Sequence, residues 1–389
     1  MLAANSGYFP SYGGGNKSDR LLMRALARRG HTCRVAVRAV DTMSRDHTQY
    51  FESLRERGVS YWVPMDGMVS FNLDGVEVCA ATTANIRTIV LAQIREFRPD
   101  VVIVSNDPLN VLIMDLPLTK GIRIVYLARA TTVLPFGPES VFPSKAKTNA
   151  IRRANAVVAV SQYLADYVVE HSGIPAIYRP IQLFDTLDWP CLGSFENSFI
   201  TMVNPCALKG IVIFLALADS FPNAQFAVVP TWGTNAEDRT QLAARPNIRF
   251  LEPVDDIREI LQQTRVTLVP SLWAEARSRM IFESMISGIP VLASDRGGNR
   301  EAMMNVPGLL PVQPIVGYEK RMDDQLMRVA KVPPQDIMPW CDALGRLISD
   351  HSHYDEISSR QRAAALEFVG NLDIELFESI LQPSPTSVS

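Results

Sequence analysis

Short apolar runs alternate with longer amphipathic segments along the first half of the chain. The apolar runs are five or six residues long and rich in β-branched residues, which is typical of buried strands. Between them, apolar residues recur every three or four positions at 13–30, 85–97 and 145–154, as in helices that bury one face. After a first strand within 1–4, the predicted strands are 33–37, 59–63, 101–105, 122–127 and 156–160.

A second series of the same kind follows a stretch at 180–197 that is rich in proline, glycine and turn formers. Alternating strands and helices predict a parallel, doubly wound α/β sheet, so each half should form one. We therefore expect domains at 1–185 and 186–370, then a closing helix and a disordered tail within 371–389. The predicted strands of the second half are 198–203, 225–229, 248–251, 266–269 and 291–294. Its predicted helices are 209–220, 256–263, 278–287, 299–304, 335–350 and 354–381.

Composition and charge narrow the class of protein. With 47% hydrophobic and 20% charged residues over 389 positions, the chain is typical of a globular protein with more than one core. A net charge of −3 offers no general attraction to nucleic acid. The five scattered cysteines form no CxxC pair or Cys/His cluster, which argues against a disulfide framework or a zinc site. No signal peptide or apolar run of ~20 residues is evident, so we expect a cytoplasmic protein.

The segment 270–301 carries the strongest chemical signal in the chain. Glu275 and Glu283 stand eight positions apart around a predicted helix start, and Gly288 and Pro290 end that helix. An acid near a helix start can simply balance the helix dipole. Glu283, however, lies in an otherwise apolar run, where a carboxylate is costly unless something pairs with it. Open α/β sheets bind ligands at loops outside the carboxyl ends of their strands, where this segment is expected to lie.

The two glutamates, followed by Gly288-Ile289-Pro290-Val291, resemble the acidic motif of the family 4 glycosyltransferases. The resemblance implies the GT-B fold, in which two doubly wound Rossmann-like domains face each other across a cleft. It also implies that a C-terminal helix, here Ile374–Leu381, crosses back to the first domain. The implied activity is transfer of a sugar from a nucleotide-diphosphate sugar with retention of the anomeric configuration.

The resemblance assigns roles within the acidic motif. Glu275 would approach the transferred sugar, and Glu283 would bind the ribose of the nucleotide. The loop between them would present backbone N–H groups to the sugar and phosphate, through Ala276, Arg277, Ser278 and Arg279. Arg277-Ser278 stands where the family has Phe-Gly, which adds a cation that the family pattern does not require.

Three other residues of the second half join the expected donor site. Lys209, at a predicted helix start, would bind the diphosphate, although a lysine there could also be an ordinary solvated side chain. Asn204 stands where the family has an arginine, and Arg277 or Arg129 could supply the missing charge. Val254 completes the donor-binding set.

The first half offers weaker signals. Gly14, Gly15 and Asn16 belong to a glycine-rich turn that resembles the family's donor-facing loop. Asp107 could face the acceptor, but an Asp-Pro turn explains it equally well. Arg129 occupies the place of a family histidine near the transferred sugar, and an arginine cannot act as a general base. The resemblance nevertheless makes Arg129, with Glu275 and Lys209, a candidate catalytic residue.

A basic stripe on the first predicted helix consists of Lys17, Arg20, Arg24 and Arg28. Some family members dock on anionic membranes through such a face. We favour a solvated helix face, because little apolar surface flanks the stripe and the net charge is acidic.

The sequence therefore predicts a retaining, metal-independent glycosyltransferase that moves a sugar, UDP-linked, to a hydroxyl group of a small molecule such as a secondary metabolite. It requires no cofactor besides the nucleotide sugar. The alternative is a degenerate protein that binds nucleotide sugar without transferring it, which the change to Arg129 favours. An epimerase of the same fold is disfavoured by the few histidines. A glycoside hydrolase is disfavoured because its carboxylates normally come from separate elements.

Overall fold

The computed structural model describes residues 1–11, 13–39, 47–105, 107–116, 121–181 and 189–382. It divides into two compact units, one formed by Met1–Asp185 and Leu372–Ser389 and the other by Thr186–Asn371. Part of the Pro- and Gly-rich stretch at 180–197 and the expected disordered tail at 383–389 lie outside the described residues.

The described part of the first unit contains a nine-stranded sheet in the order β3-β4-β5-β2-β1-β6-β7-β8-β9. All neighbouring strands from β5 to β9 in this order are parallel. The strands are β1 (Leu2–Ala4), β2 (Cys33–Arg38), β3 (Tyr61–Met65), β4 (Met68–Leu73), β5 (Val76–Ala81), β6 (Val101–Ser105), β7 (Arg123–Ala128), β8 (Ala156–Ala159) and β9 (Ile177–Tyr178). β1, β2, β6, β7 and β8 confirm the runs predicted from their apolar residues.

One edge of this sheet differs from the prediction. The strand predicted at 59–63 is β3, which pairs antiparallel with β4, and β4 pairs antiparallel with β5. Tight turns with positive φ at Gly67, Asp74 and Gly75 join these strands. A parallel connection needs a crossover of about a dozen residues, so these short turns allow only an antiparallel hairpin.

The described helices of the first unit include the last helix of the chain, α13. Arg123 Nε donates a 2.9 Å hydrogen bond to the carbonyl oxygen of Ile380, and Arg29 Nε lies 2.7 Å from Glu378. These contacts confirm that the C-terminal helix returns to the first domain. The helices are α1 (Gly14–Arg28), α2 (His47–Glu56), α3 (Ile86–Phe97), α4 (Lys145–Arg152), α5 (Gln162–Ser172) and α13 (Ile374–Leu381).

The second unit contains a six-stranded parallel sheet in the order β12-β11-β10-β13-β14-β15, and a separate antiparallel hairpin, β16-β17. The hairpin was not predicted. Its strands and those of the sheet are β10 (Phe199–Val203), β11 (Gln225–Val229), β12 (Ile248–Phe250), β13 (Thr264–Val269), β14 (Val291–Ser294), β15 (Leu309–Leu310), β16 (Tyr318–Met322) and β17 (Arg328–Ala330).

Helices cover this sheet around a core that includes Phe214, Phe226 and Trp340, all fully buried. The helices are α6 (Ile211–Ser220), α7 (Ala236–Ala243), α8 (Arg258–Leu261), α9 (Arg279–Ile286), α10 (Asn299–Ala302), α11 (Met338–Ser349) and α12 (His351–Gly370). The helix predicted over 354–381 is in fact two, α12 and α13, because Asp373 caps the start of a new helix.

Candidate functional site

Two charged side chains meet at the carboxyl ends of neighbouring strands in the second unit. Lys209 ends a 3-10 turn, Ala207–Lys209, after β10, and Glu275 lies in the loop after β13. Because β10 and β13 are adjacent in the sheet, their loops leave the same edge side by side. The Lys209 ammonium donates a hydrogen bond to the Glu275 carboxylate and lies 4.8 Å from the centre of the Trp273 ring. The fold thus brings together Lys209 and Glu275, which the sequence analysis named as separate candidates.

Glycines let the surrounding loops approach one another closely. A Cβ on Gly210 would lie 2.0 Å from the carbonyl oxygen of Pro270, and one on Gly298 would lie 1.9 Å from that of Ala276. The backbone N–H of Gly298 also donates a 2.6 Å hydrogen bond to the carbonyl oxygen of Glu275. Since no side chain fits at either glycine, the loop that carries Glu275 is held between the loops that follow β10 and β14.

Glu275 is ionised in spite of its burial. Burial by itself would raise the pKa of the carboxyl group. The charge and hydrogen bond of Lys209 and the Ser271 hydroxyl, 2.7 Å from Oε1, outweigh burial and lower the pKa below its ordinary value. A carboxylate that stays ionised can accept hydrogen bonds from sugar hydroxyls or stabilise a developing positive charge, but it cannot donate a proton.

Glu283 has the partner that its apolar surroundings require. α9 begins at Arg279, and one turn later Glu283 Oε1 accepts a 2.9 Å hydrogen bond from Arg279 Nη2. The two side chains are only 5% and 10% exposed, respectively, so this pair lies largely out of water. Ser278 is the N-cap residue, and its side chain makes no capping hydrogen bond. An anion at this helix start would meet backbone N–H groups and the positive end of the helix dipole.

Arg277 lies against aromatic rings. Its guanidinium carbon is 4.5 Å from the centre of the Phe368 ring and 5.0 Å from that of Phe282. The sequence offered either this extra cation or Arg129 as a replacement for the arginine missing at Asn204. In the structure, Arg277 packs the loop between the two glutamates against α12, and its role toward the donor stays a prediction.

Asn204 connects two loops at the edge of the sheet. It adopts a left-handed conformation, with φ at 58°, and its Oδ1 accepts a 2.9 Å hydrogen bond from the N–H of Gly233. This bond ties the loop after β11 to the loop after β10. Val254 is half-buried in the segment between β12 and α8, at the same edge of the sheet.

In the first unit, Arg129 is buried in an ion pair with Asp19 of α1. Its Nε donates a 2.6 Å hydrogen bond to the Ser105 hydroxyl, and that hydroxyl donates a 2.8 Å hydrogen bond to Asp19. The sequence predicted that Arg129 would serve the donor or acceptor. The structure gives its charge a carboxylate partner within the same unit, and its contact with a donor or acceptor stays a prediction.

The remaining candidates of the first unit are also engaged locally. Gly14, Gly15 and Asn16 form the first turn of α1, so the glycines open the helix and do not form a loop before it. Asn16 Oδ1 accepts a 3.2 Å hydrogen bond from the Ser6 hydroxyl. Their contact with a donor stays a prediction.

The hydrogen bonds of Asp107 are those of a residue that stabilises a turn. Its carboxylate accepts hydrogen bonds from three backbone N–H groups, 2.9 to 3.1 Å long, in the segment 111–113. Burial, opposed by these bonds, raises the pKa of Asp107 to about 6. The alternative of an Asp-Pro turn therefore accounts for this residue, and an acceptor role stays a prediction.

Several site residues gave no usable signal in the sequence. Ser271 and Trp273 stand just before the acidic motif and match no catalytic pattern, and Trp232 lies in a different loop. Asp19 sits 110 residues before Arg129, so only the fold reveals their pairing. A buried arginine in place of a histidine could have prompted a search for such an acid.

Two residues of the basic stripe of α1 are ion-paired in the structure. Arg20 and Arg24 pair with Asp74 at 3.0 and 3.5 Å, and their side chains are 27% and 14% exposed, so these two arginines are ion-paired and only partly solvated. Within the described ranges, no group of three or more His, Cys, Asp or Glu side chains is arranged to hold a metal ion. None of the described helices has the length and apolar character needed to cross a membrane.

Each of the two units matches the model of a glycosyltransferase family. The model of Glycosyltransferase Family 4 matches residues 12–183, and that of Glycosyl transferases group 1 matches residues 207–350. No curated protein sequence matches the chain.

Solved structures resemble the whole chain at low sequence identity. HepE from Anabaena, in complex with UDP and glucose, has a TM-score of 0.70 and 15% identity over 98% of this chain and 99% of its own. Sucrose-phosphate synthase from Thermosynechococcus elongatus has a TM-score of 0.66 and 15% identity over 97% and 98% of the two chains. The catalytic domain of starch synthase IV from Arabidopsis thaliana, bound to ADP and acarbose, has a TM-score of 0.63 and 12% identity over 98% and 97%.

The two family models cover most of the chain, and the resemblance to solved structures extends over both units. The acidic motif, the helix that returns to the first unit and the two doubly wound sheets agree with this match. The chain therefore belongs to the family 4 type of glycosyltransferases and has their GT-B fold.

Proposed function

We propose that the protein transfers a sugar from a UDP-linked donor to a hydroxyl group of a small-molecule acceptor, with retention of anomeric configuration and without a metal ion. The pairing of Lys209 with Glu275 at the carboxyl ends of β10 and β13 carries this proposal. It sets a cation beside an ionised carboxylate, next to the start of α9. A nucleotide sugar needs both kinds of group, one for its diphosphate and one for its sugar.

In this proposal, the groups around Lys209 stabilise the leaving diphosphate. The bond between the anomeric carbon and the phosphate oxygen breaks, and negative charge grows on the diphosphate. The Lys209 ammonium has three N–H donors, so it can bind a phosphate oxygen while it keeps its bond to Glu275. The N–H groups at the start of α9 add fixed positive potential without moving.

Glu275 would act on the sugar. Its ionised carboxylate would accept hydrogen bonds from sugar hydroxyls and stabilise the positive charge that develops at the anomeric carbon. The acceptor hydroxyl would attack from the face that the phosphate leaves, and its proton would pass to the departing phosphate oxygen. That route needs no protein base, which suits a chain with Arg129 where a histidine is expected.

Glu283 and the comparisons support the choice of donor. Glu283 lies on the first turns of α9 with one oxygen bonded to Arg279, where a carboxylate can accept hydrogen bonds from ribose hydroxyls. HepE, which shares the fold, was solved with UDP and with UDP-glucose, whereas starch synthase IV was solved with ADP. We place UDP first for this reason. The small-molecule acceptor is carried over as the prediction made from the sequence.

The proposal is tested by a thermal-shift screen with UDP, GDP, ADP and dTDP sugars, followed by transfer assays with an acceptor panel. A ligand at about a hundred times its dissociation constant stabilises the protein by ~2.7 kcal/mol, so the correct donor should stand out. Proton NMR of the product gives its anomeric configuration, and we expect that of the donor. Activity should survive EDTA. An inverted product or loss of activity with EDTA would contradict the mechanism.

One observation favours a second candidate, a member of the family that binds nucleotide sugar but has lost transfer. Arg129 stands where the family has a histidine near the transferred sugar. Its guanidinium forms an ion pair with Asp19 and a hydrogen bond with Ser105. Tight binding of a donor with no hydrolysis and no transfer to any acceptor would support this candidate.

A further inference from the structure

Two indole rings extend from the Lys209–Glu275 pair along the edge of the second unit. Trp273 lies under the Lys209 ammonium, and the Trp232 ring lies 6.2 Å from the Trp273 ring, tilted by 48°. Trp232 is 37% exposed, so a ligand can reach its ring. Neither tryptophan belongs to the acidic motif, and the proposed chemistry does not use them.

The loop that carries Trp232 is fixed from both sides. The N–H of Gly233 is bonded to Asn204, and a Cβ on Gly233 would lie 2.9 Å from the sulfur of Cys206. On the other side, Asp323 and Asp324 of the β16-β17 hairpin bond to the start of α7. Asn235 Nδ2 donates to Asp323 at 3.3 Å, and the N–H of Ala236 donates to Asp324 at 3.2 Å.

The loop that carries Trp273 is also fixed by backbone hydrogen bonds. The backbone N–H of Trp273 and that of Leu272 both donate hydrogen bonds to the carbonyl oxygen of Leu208, at 3.3 and 2.9 Å. Since Leu208 precedes Lys209, the indole and the ammonium are positioned by the same turn. The two rings therefore form a preorganised aromatic surface that starts at the expected diphosphate-binding cation.

The order of the loops indicates which part of a donor would reach this surface. Reading across the sheet, the loop after β11 with Trp232 lies between the segment with Val254 and the loop with Lys209. Glu275 follows β13, on the other side of β10. A nucleotide sugar carries its sugar on one side of the diphosphate and its nucleoside on the other. If Glu275 takes the sugar and Glu283 the ribose, the base is the part of the donor that can extend toward the indoles.

We propose that Trp232, supported by Trp273, is the surface on which the base of the donor stacks. This inference rests on the proposed use of a nucleotide sugar. Every nucleobase has an aromatic face, and stacking on a tryptophan is strong but tolerant of the identity of the base. Trp232 therefore sets the affinity for the nucleotide, while the choice among bases comes from other groups.

The test is the affinity of Trp232→Ala for free UDP, measured by calorimetry. We expect the dissociation constant to rise by roughly tenfold to a hundredfold, and Trp232→Phe to recover most of the loss. The affinities for ADP and GDP should fall by about the same factor, so that the order of preference is kept. Trp62→Ala, at a similarly exposed tryptophan (43%) of β3, is the matched control and should bind UDP like the wild type.

The outcomes separate this inference from the proposed function. If the wild type binds UDP and Glu283→Gln weakens that binding, but Trp232→Ala does not, the stacking role is wrong and the proposed function stands. If Trp232→Ala changes only the KM for the acceptor, the indoles serve the acceptor and the inference is also wrong. A wild type that binds no nucleotide overturns both.

Discussion

Arg129 and Asp19 form a buried ion pair, although 110 residues separate them in the chain. Arg129 follows β7, and Asp19 lies on α1, which follows β1. The strands β1, β6 and β7 are consecutive in the sheet, so the segments that follow them meet at one edge, where the Ser105 hydroxyl bonds to both side chains. The arginine in place of a histidine thus comes with an acid that matches its charge.

Arg129→Ala should destabilise the protein by about 3–5 kcal/mol, because it leaves Asp19 charged, buried and without its cation. Urea unfolding measures this change. The double variant Arg129→Gln with Asp19→Asn removes both charges and should recover most of the stability. Arg87→Ala, which breaks an exposed pair with Asp115, is the control and should cost about 1 kcal/mol or less. A loss in Arg129→Ala no larger than this control would mean that the buried pair does not form.

The double variant also separates structure from catalysis. If it transfers sugar at the wild-type rate, Arg129 is only a structural residue. If Arg129 also binds substrate, transfer should fall by about a hundredfold even in the stable double variant.

Glu283→Gln and Glu275→Gln should have different effects on nucleotide binding. Glu283→Gln should weaken binding of free UDP by ~1.5–3 kcal/mol, since an amide accepts fewer hydrogen bonds from ribose than a carboxylate does. Glu275→Gln should leave the affinity for UDP nearly unchanged and reduce transfer, because the carboxylate acts on the sugar. Calorimetry and initial rates measure the two effects. Equal loss of UDP affinity in both variants would contradict the assigned roles.

Lys209→Ala should lower turnover more than it lowers donor affinity, because the charge on the leaving diphosphate is greatest in the transition state. The structure adds a second effect, since Glu275 then loses the cation that keeps it ionised. Lys209→Ala should therefore also lower the thermal stability. Unchanged turnover at saturating donor would show that Lys209 is not at the reacting groups.

Gly298→Ala should disable the site without a direct contact to substrate. The added Cβ would lie 1.9 Å from the carbonyl oxygen of Ala276, so the loop that carries Glu275 must move. We expect loss of transfer of about a hundredfold or more, because small displacements of catalytic groups have effects of this size. Gly345→Ala is the control. Its Cβ would meet only the Phe221 ring at 3.7 Å, and it should stabilise α11 slightly.

The stability of the second unit should depend on the ionisation of Glu275. The folded state lowers the pKa of this carboxyl below its ordinary value of 4.5. The resulting stabilisation is present above that value and is lost as the pH falls through the lowered pKa. Urea unfolding from pH 6 to pH 2.5 should therefore show a smaller loss of stability in Glu275→Gln than in the wild type. Parallel pH profiles would mean that Glu275 has an ordinary pKa when folded.

Local patterns were sufficient for much of the fold. The apolar runs identify β6, β11 and β14, since a strand buried on both faces must be apolar throughout. The β4-β5 hairpin was missed, because its tight turns resemble loops between any two elements. The residues 66–67 and 74–75 decide that the strands run antiparallel, and this depends on backbone conformation at a few positions.

The sequence by itself indicated the two doubly wound sheets, through apolar runs that alternate with amphipathic segments. It pointed to Glu275, Glu283 and Lys209 through their resemblance to the family motif. Only the tertiary structure decided the partners: Asp19 for Arg129, Arg277 for the Phe282 and Phe368 rings, and Trp232 for Trp273. These contacts join loops to helices or to other loops, and the Arg129–Asp19 and Trp232–Trp273 contacts depend on the order of strands in the sheet. Because that order follows from packing of the whole chain, no local pattern records which side chains will meet.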